Sequence, residues 1–454
     1  MAGLEQVDVG WAWQPFVPGR DGPWNRTAAA HLYRRAAFGA TAPQLAAAVE
    51  AGPAATVEQL LSPPATADLL PDGCAELARS VLATGKASQL SAWWAYVLLV
   101  TPHPLYERMT LFWHGHFATS ADKVTDPQLV FDQNRLLRQH ALGNFRDFTQ
   151  AISRDPAMLL YLDSASNRKA HPNENYAREL MELFCLGEGN YQEKDIQELA
   201  RCFTGWEVKS GQFRFNRFQH DSGDKTIFGR RDPYPDGSAI DWVVDQPSAA
   251  QFIVGKLFRQ FVCDEPAPPA ELLKPLADEL REHAWHIAPV VKRILTSRLF
   301  YDAQVQARKI RSPVDLAFGL LRSLQASTDT FRLSEELQLN GQGLLYPPNV
   351  KGWDGGRAWI NASTILGRAN MIGRLLNDEH TRYGGRSLAE YLAEQGSASP
   401  SEIVDRIAEL TLAVPLSEPA RQELVRLAGQ NIERSRAIAQ AVHALAAMPE
   451  FQLA

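Results

Sequence analysis

Apolar residues recur at helical spacing along most of the chain, and helix-capping residues divide the pattern into segments. Thr27 precedes an amphipathic stretch that ends at Gly39, and Thr41 precedes the next start at Pro43. Threonine accepts a hydrogen bond from the first free backbone amides of a helix, and glycine tolerates the backbone conformation that ends one. These signals predict a mainly α fold with a large multi-helix globular body.

The same start signals continue to the end of the chain. Helix starts are predicted at Asp126-Pro127, Asp155-Pro156, Asn173 and Ser312-Pro313. Residues 402–447 are predicted to form two or three further helices, separated near residues 415–419.

Two segments break the helical pattern. In residues 211–228, Phe213 and Phe215 alternate with polar residues, and the polar run 220–223 follows, which predicts a small β-hairpin insertion. Residues 345–361 hold too much proline and glycine for a helix and predict a structured loop. The resulting division is an N-terminal extension (1–26), a helical core containing both segments (27–378) and a C-terminal helical tail (379–454).

Composition adds limits on function. Of 454 residues, 45% are hydrophobic and 22% charged, as in ordinary soluble proteins. Lysine and arginine number 46 against 52 acidic residues, without a basic run, so nucleic acid binding is not predicted. The longest apolar run, residues 95–100, is too short for a membrane span. No signal peptide is visible, so the sequence leaves a cytoplasmic protein and an exported one with its leader removed both open.

The segment after Asn173 carries the densest polar chemistry. At 100° per residue, five polar residues fall on one helix face: Glu174, Asn175, Arg178, Glu179 and Glu182. Arg178 is predicted to bridge Glu174 and Glu182, which stand four residues on either side. Three carboxylates around one guanidinium can separate a general acid from a general base, or bind a divalent metal. The alternative is a solvated helix face with salt bridges.

Three histidines are candidate metal ligands: His114, His116 and His220. If the helix around Gly115 continues, His114 and His116 point about 200° apart and cannot share a ligand. If Gly115 ends the helix, the next turn can bring the two imidazoles together for zinc, iron or manganese. The alternative is hydrogen-bonded histidines that line a cleft. The sequence contains no H-E-x-x-H, nucleophile-elbow, Walker A or dinucleotide-binding motif.

The loop at 345–361 contains Trp353 and Trp359 among amides and charges. Tryptophans in such a setting suit stacking on sugar rings, whereas the alternative is a loop fixed to the core by its aromatic residues. Further candidate substrate-binding residues are Asn175 and Arg178 on the polar helix face, and Asp221 and Lys225 after the predicted hairpin turn.

Seven segments resemble, in order, those of the bacterial family catalogued as domain of unknown function 1800, over roughly residues 27 to 372. They are residues 31–39 (HLYRRAAFG), 110–117 (TLFWHGHF), 142–146 (LGNFR), 173–184 (NENYARELMELF), 200–206 (ARCFTGW), 220–225 (HDSGDK) and 347–360 (PPNVKGWDGGRAWI). The tail after about residue 380 carries no recognised motif.

The resemblance implies a mainly helical protein, and it implies export for many members, although this chain shows no leader. Members are often encoded beside a family similar to sulfatases and alkaline phosphatases, which implies work on an envelope or extracellular polymer. The family has no settled activity, so the resemblance supplies positions and not a reaction.

Two functions are expected from these observations. The first is a hydrolase, with or without a divalent metal, that acts on a carbohydrate or other polymer. Its acid and base are Glu174, Glu179 and Glu182. The second is a non-catalytic binding or assembly partner of a sulfatase-like protein, in which the Arg178 network is a buried structural device.

Overall fold

Helices dominate the computed structural model, which describes residues 4–63 and 69–454, so residues 1–3 of the predicted N-terminal extension lie outside it. The mainly α fold predicted from the sequence is confirmed. The first twelve helices are α1 (Val9–Ala12), α2 (Arg26–Ala36), α3 (Ala42–Ala51), α4 (Pro53–Leu61), α5 (Cys74–Leu82), α6 (Ala87–Val100), α7 (Pro104–His116), α8 (Pro127–Gln139), α9 (Phe145–Ser153), α10 (Pro156–Tyr161), α11 (Asn175–Glu179) and α12 (Glu193–Cys202).

The second half of the chain is built in the same way. Its helices are α13 (Ser238–Val244), α14 (Pro247–Phe261), α15 (Ala270–Glu282), α16 (Ile287–Thr296), α17 (Arg298–Tyr301), α18 (Pro313–Ser323), α19 (Thr330–Leu339), α20 (Ala362–Asn377), α21 (Leu388–Glu394), α22 (Pro400–Thr411), α23 (Glu418–Ala428) and α24 (Arg434–Ala446). The last three are the helices predicted between residues 402 and 447.

Several predicted caps are present as side-chain hydrogen bonds. Thr41 and Ser312 each form a capping box at the starts of α3 and α18. Asp126 and Asp155 accept backbone amides at the starts of α8 and α10. The start of α2 differs, because Asn25 and not Thr27 provides the cap.

The predicted hairpin insertion is two consecutive hairpins, so its strand pairing differs from the prediction. Strand β1 (Trp206–Lys209) pairs with β2 (Gln212–Phe215), and β3 (Lys225–Ile227) pairs with β4 (Arg230–Asp232). Each pair is joined by two residues with positive φ, Ser210-Gly211 and Phe228-Gly229. Such two-residue turns match the twist of antiparallel strands, and they close each hairpin locally. A third pair joins β5 (Ala326–Ser327) to β6 (Arg382–Tyr383).

A π-helical turn, Leu180–Cys185, continues α11. The regular helix predicted through this region is therefore wrong in its second half. Hydrogen bonds from residue i to i+5 make the turn wider than an α-helical one, so side chains beyond residue 180 leave the expected rows.

Two apolar cores lie on opposite sides of α7. Trp113 belongs to one core, with residues from α9, α11 and α14, and Leu111 belongs to the other. In the second core Ile438 and Val442 of α24 join Trp94 of α6, so the C-terminal tail packs with the N-terminal half. Among the described residues, no helix combines the length and apolar character that a bilayer crossing requires.

Candidate functional site

A cavity of about 380 Å³ opens beside α7, and we call it the tryptophan-loop cavity. Its wall is formed by α7, by α14 and the residues just after it, by the segment that enters α18, by Gln342 and by the loop at 345–361. The charged and aromatic side chains that line it are Arg108, Phe112, His116, Lys256, Arg259, Asp264, Glu265, Lys309, Asp315, Lys351, Trp353, Asp354 and Trp359.

Two glycines bring the loop against α7. Gly352 has a φ of +76°, and a Cβ at this position would lie 2.0 Å from the carbonyl oxygen of Gly115. Only a residue without a side chain fits there, both for backbone conformation and for space. The approach places Trp353 over Gly115, with its ring 5.6 Å from that of His114 between centroids.

The two histidines of α7 do not share a metal site. The helix continues through Gly115 to His116, so the imidazoles point in different directions. His114 packs against Trp94 and Trp353, whereas His116 packs against Phe145 and Phe184. Throughout residues 4–63 and 69–454, no group of three or more His, Cys, Asp or Glu side chains is arranged to hold a metal ion. This arrangement does not provide the metal centre that was predicted from His114, His116 and His220.

His116 contributes to the cavity as a neutral imidazole. Its Nε2 lies 3.0 Å from the backbone oxygen of Phe184, which can only accept, so Nε2 carries the proton. Burial, with the nearby charge of Lys256, holds the pKa of His116 well below its usual value. Its Nδ1 is thus an acceptor, and it is buried without a partner among the described residues.

His114 is buried as well and makes no such contribution. Desolvation lowers its pKa to about 3, and its Nε2 has no partner in the described part of the chain. The residue does not line the cavity, although its ring packs against Trp353, which does.

The carboxylates of the cavity are mostly paired. Asp315 lies 2.5 Å from Arg108, Asp264 lies 2.6 Å from Lys309, and Glu265 lies 2.7 Å from Arg357. The fourth carboxylate of the cavity wall, Asp354, is exposed. These ion pairs therefore neutralise most of the negative charge around the cavity.

Three of the cavity's basic side chains are not paired in this way. Lys256, Arg259 and Lys351 have no carboxylate within ion-pairing distance in the part of the chain that the structure describes. Lys256 is partly buried over the ring of Phe252, with 4.9 Å between Nζ and the ring centroid. Burial and the charge of Arg259 lower the pKa of Lys256 to about 8. The cavity thus has an excess of positive charge.

The polar face predicted on the helix after Asn173 lies elsewhere, and its pairing differs from the prediction. Arg178 bridges Glu174 at 3.1 Å and Glu193 at 2.5 Å, while Glu182 accepts a hydrogen bond from Tyr191. The wide π turn removes Glu182 from the row of Arg178. Asn175 is exposed at the start of α11. The side chains of Arg178 and Glu174 are about one-third exposed, so this network is not the dry structural device of the second hypothesis.

Glu179 connects this face with the tryptophan loop. It is half-buried, and desolvation together with the neighbouring charge of Glu182 raises its pKa, while Arg178 and Lys351 oppose the rise. Lys351 also lines the cavity. Glu179 therefore interacts through its charge with a residue of the cavity wall. No glutamate of this helix lines the cavity itself.

The candidate residues after the hairpin turn form a separate structural network. His220 Nδ1 lies 2.8 Å from the carbonyl oxygen of Thr204, and Asp221 is paired with Arg201 at 2.7 Å. Lys225 is fully buried and donates to the backbone oxygen of Asp221. None of these three lines the cavity, whereas the candidates His116, Trp353 and Trp359 do.

Sequence reasoning missed much of the cavity wall. Arg108, Lys256 and the pair Lys309 and Asp315 come from three separate segments that only tertiary structure brings together. One local signal was available, because Lys256 interrupts the apolar residues of α14 at a position between buried Val254 and Leu257. A lysine within an apolar stretch indicates a cavity or a partner.

The comparison with family models agrees with the resemblance found in the sequence. No curated protein and no solved structure matches the chain significantly. A family model does match, over residues 31–453, and the match includes the C-terminal helices in which no motif was recognised. The chain therefore belongs to the family described as "Protein of unknown function (DUF1800)".

Proposed function

We propose that this protein binds an acidic carbohydrate, such as the end of an anionic polysaccharide, in the tryptophan-loop cavity. The observation that carries the proposal is the surplus of unpaired basic side chains beside two tryptophans in one cavity. Lys256 supplies the partly buried charge, and Arg259 and Lys351 lie exposed at the rim. Cations in such a position favour carboxylate, sulfate or phosphate groups.

Buried arginines behind the cavity strengthen this preference. Arg34, Arg35, Arg311 and Arg368 are each at most 7% exposed, and none has a carboxylate within ion-pairing distance among the described residues. Burial lowers the pKa of Arg35, Arg311 and Arg368 to about 10. Low-polarity surroundings screen charge weakly, so this cluster adds to the positive potential of the cavity.

The uncharged groups suit a sugar ring. Trp353 and Trp359 are partly buried, so each has a face or edge available to a ligand. His116 lines the cavity as a neutral imidazole, because its Nε2 proton is donated to the backbone oxygen of Phe184. The volume of about 380 Å³ lies within the range of small-ligand pockets.

Hydrolysis of the bound polymer is the reaction we propose, with Glu179 as the general acid. A carboxyl group with a raised pKa keeps its proton to a higher pH than an ordinary carboxyl group, which favours the role of proton donor to a leaving oxygen. Burial and Glu182 raise the pKa of Glu179, and Lys351 links it to the cavity. Glu182 is the second carboxylate of the pair that glycoside hydrolysis requires.

The test is a panel of purified acidic and neutral polysaccharides. Retention on immobilised polymer measures binding, and release of new reducing ends measures hydrolysis, each with and without a chelator. We expect retention on acidic polymers only, and we expect Lys256→Met to weaken that retention strongly. Equal retention on neutral polymers would contradict the binding proposal. Binding without new reducing ends would leave a binding protein and remove the hydrolase proposal.

A further inference from the structure

Lys256 lines the tryptophan-loop cavity with an amine that has no partner in the described part of the protein. Its side chain leaves α14 between the buried residues Val254 and Leu257. Within residues 4–63 and 69–454, no hydrogen-bond acceptor or carboxylate contacts its Nζ atom, which lies 4.9 Å from the ring centroid of Phe252. A ligand that enters this cavity of about 380 Å³ therefore meets the amine without displacing another side chain from it.

The other two lysines of the cavity wall differ from Lys256. Lys309 lies 2.6 Å from Asp264 and also donates to the backbone oxygen of Arg259, so two acceptors hold its protons. Lys351 is exposed at the rim. A salt bridge keeps an amine protonated, and full hydration stabilises the ammonium form. Of these three lysines, Lys256 is therefore the one that combines burial with an unpaired amine.

The groups around Lys256 disfavour its ammonium form. Arg259 stands three residues further along α14, on the same side of the helix. His116 of α7, which lies close enough to respond to the charge of Lys256, is itself neutral. The carboxylates of the wall do not offset these effects, since three are paired and Asp354 is exposed.

Burial and the charge of Arg259 accordingly lower the pKa of Lys256 to about 8. About a tenth of the amine is then unprotonated at pH 7, far more than in an ordinary lysine. A lysine that is desolvated beside a second cation is suited to attack a carbonyl carbon. The position of this amine in an open cavity makes such an attack possible for a bound ligand.

We propose that Lys256 is a nucleophile that forms a reversible imine with an anionic aldehyde or ketone, such as the open-chain reducing end of an acidic sugar. Arg259 and Lys351 line the same cavity and are exposed, so they are available to the acid group while Lys256 takes the carbonyl carbon. The inference rests on the proposed function for its ligand class. A reducing end is also what the proposed hydrolysis would release.

The step balances without an oxidant or a reductant. The lone pair of Nζ attacks the carbonyl carbon, and a C–N bond forms as the π electrons of the C=O bond move to the oxygen. That oxygen then leaves as water with the two hydrogens of the neutral amine, so a C=N bond replaces the C=O bond. Addition of water reverses the step.

Reductive trapping of the full chain tests the nucleophile. Glyoxylate, a small anionic aldehyde, is added at pH 7 with cyanoborohydride, which reduces an imine to a stable secondary amine. Peptide mapping by mass spectrometry gives the labelling rate of each lysine. We expect Lys256 to be labelled at least about tenfold faster than Lys274, which is exposed and paired with Asp278. Lys309 should stay unlabelled, because Asp264 holds its protons. Equal rates at Lys256 and Lys274 would overturn the proposal.

Acetaldehyde is the neutral control for the acid group. The rate at Lys256 divided by the rate at Lys274 should be several-fold higher with glyoxylate than with acetaldehyde, because Arg259 and Lys351 attract the carboxylate. The same ratio with both aldehydes would contradict the selection of an anionic carbonyl compound.

Lys256→Arg separates the imine from the proposed function. The variant keeps a cation and removes the nucleophile, so it should lose the cavity label and keep its retention on acidic polymers. Retention of the unchanged protein without labelling at Lys256 would remove the imine and leave the proposed function. Labelling without retention would leave the imine and remove the carbohydrate proposal. The rate comparison within the unchanged protein does not depend on the folding of any variant.

Discussion

The acidic helix face and the tryptophan-loop cavity both carry several charged side chains, and they differ in how their charges are compensated. On the helix face, Arg178 bridges Glu174 and Glu193 in an exposed network. In the cavity, Lys256 is partly buried and has no ionic partner in the described ranges. Exposed pairs contribute little to stability, while an unpaired cation in a cavity favours an anionic ligand. The comparison supports the proposal that a ligand is recognised in the cavity.

Glu179 lies between the two regions, and changing it has the largest expected effect. Glu179→Gln should abolish polymer hydrolysis and leave Tm within a few degrees, because the amide keeps the shape and removes the proton donor. Release of reducing ends and thermal unfolding measure the two effects.

Glu174→Gln is the matched control for this variant, since it removes a carboxylate from the same face and should keep activity. If the Glu179→Gln protein were unfolded, Glu179 would have a structural role instead of a catalytic one. Full activity in that variant would end its assignment as the acid.

Loss of the cavity's partly buried charge is expected to be the next largest effect. Lys256→Met should weaken binding of an acidic oligosaccharide by about 10- to 100-fold, the equivalent of one charged hydrogen bond. Its Tm should stay the same or rise, because an unpaired ammonium leaves the protein interior. Titration calorimetry and thermal unfolding measure both.

Lys274→Met is the control, because Lys274 is exposed and paired with Asp278 outside the cavity. Equal weakening in both variants would mean that net charge, and not the cavity, determines affinity.

The pH dependence of binding should be smaller and follows from Lys256. Its pKa is about 8, so the ammonium that attracts the anion is present below pH 8 and is lost as the pH rises through that value. Affinity should therefore be level from pH 6 to 7 and fall above pH 8, by less than about tenfold per pH unit.

Lys256→Arg sharpens this prediction, because a guanidinium stays charged throughout the range. That variant should remove the fall. A decline of the same size in Lys256→Arg would assign the pH dependence to another group.

The smallest expected effect belongs to the helix face. Arg178→Met should lower the free energy of unfolding by less than about 1 kcal/mol, because its partners are exposed. The comparison variant is Arg138→Met, which leaves buried Glu107 without its partner and should cost about 3–5 kcal/mol. Denaturant unfolding measures both, and a large loss at Arg178 would make the helix face structural.

Local signals in the sequence predicted much of the fold. Caps such as Thr41 and Ser312 mark helix starts because their chemistry acts within one turn. The π turn after Glu179 was missed because its apolar pattern also fits an α-helix. The hairpin pairing was missed because the turns at Ser210-Gly211 and Phe228-Gly229 determine it, and the phenylalanine alternation does not.

The candidate site was less predictable. Trp353, Trp359 and His116 were recognised from the sequence and do line the cavity. His114 was grouped with His116 because the sequence does not show whether Gly115 ends the helix. Lys256 and Arg108 could not be assigned to the cavity, since their neighbours there come from distant parts of the chain.

The most direct measurement compares two oligosaccharides with the same backbone, one acidic and one with its acid groups neutralised as esters or amides. Calorimetric affinities would be measured for the unchanged protein and for Lys256→Met. We predict at least about tenfold tighter binding of the acidic form by the unchanged protein, and no such preference in the variant. Equal affinity of the unchanged protein for both oligosaccharides would contradict the assignment of the cavity to an acidic ligand.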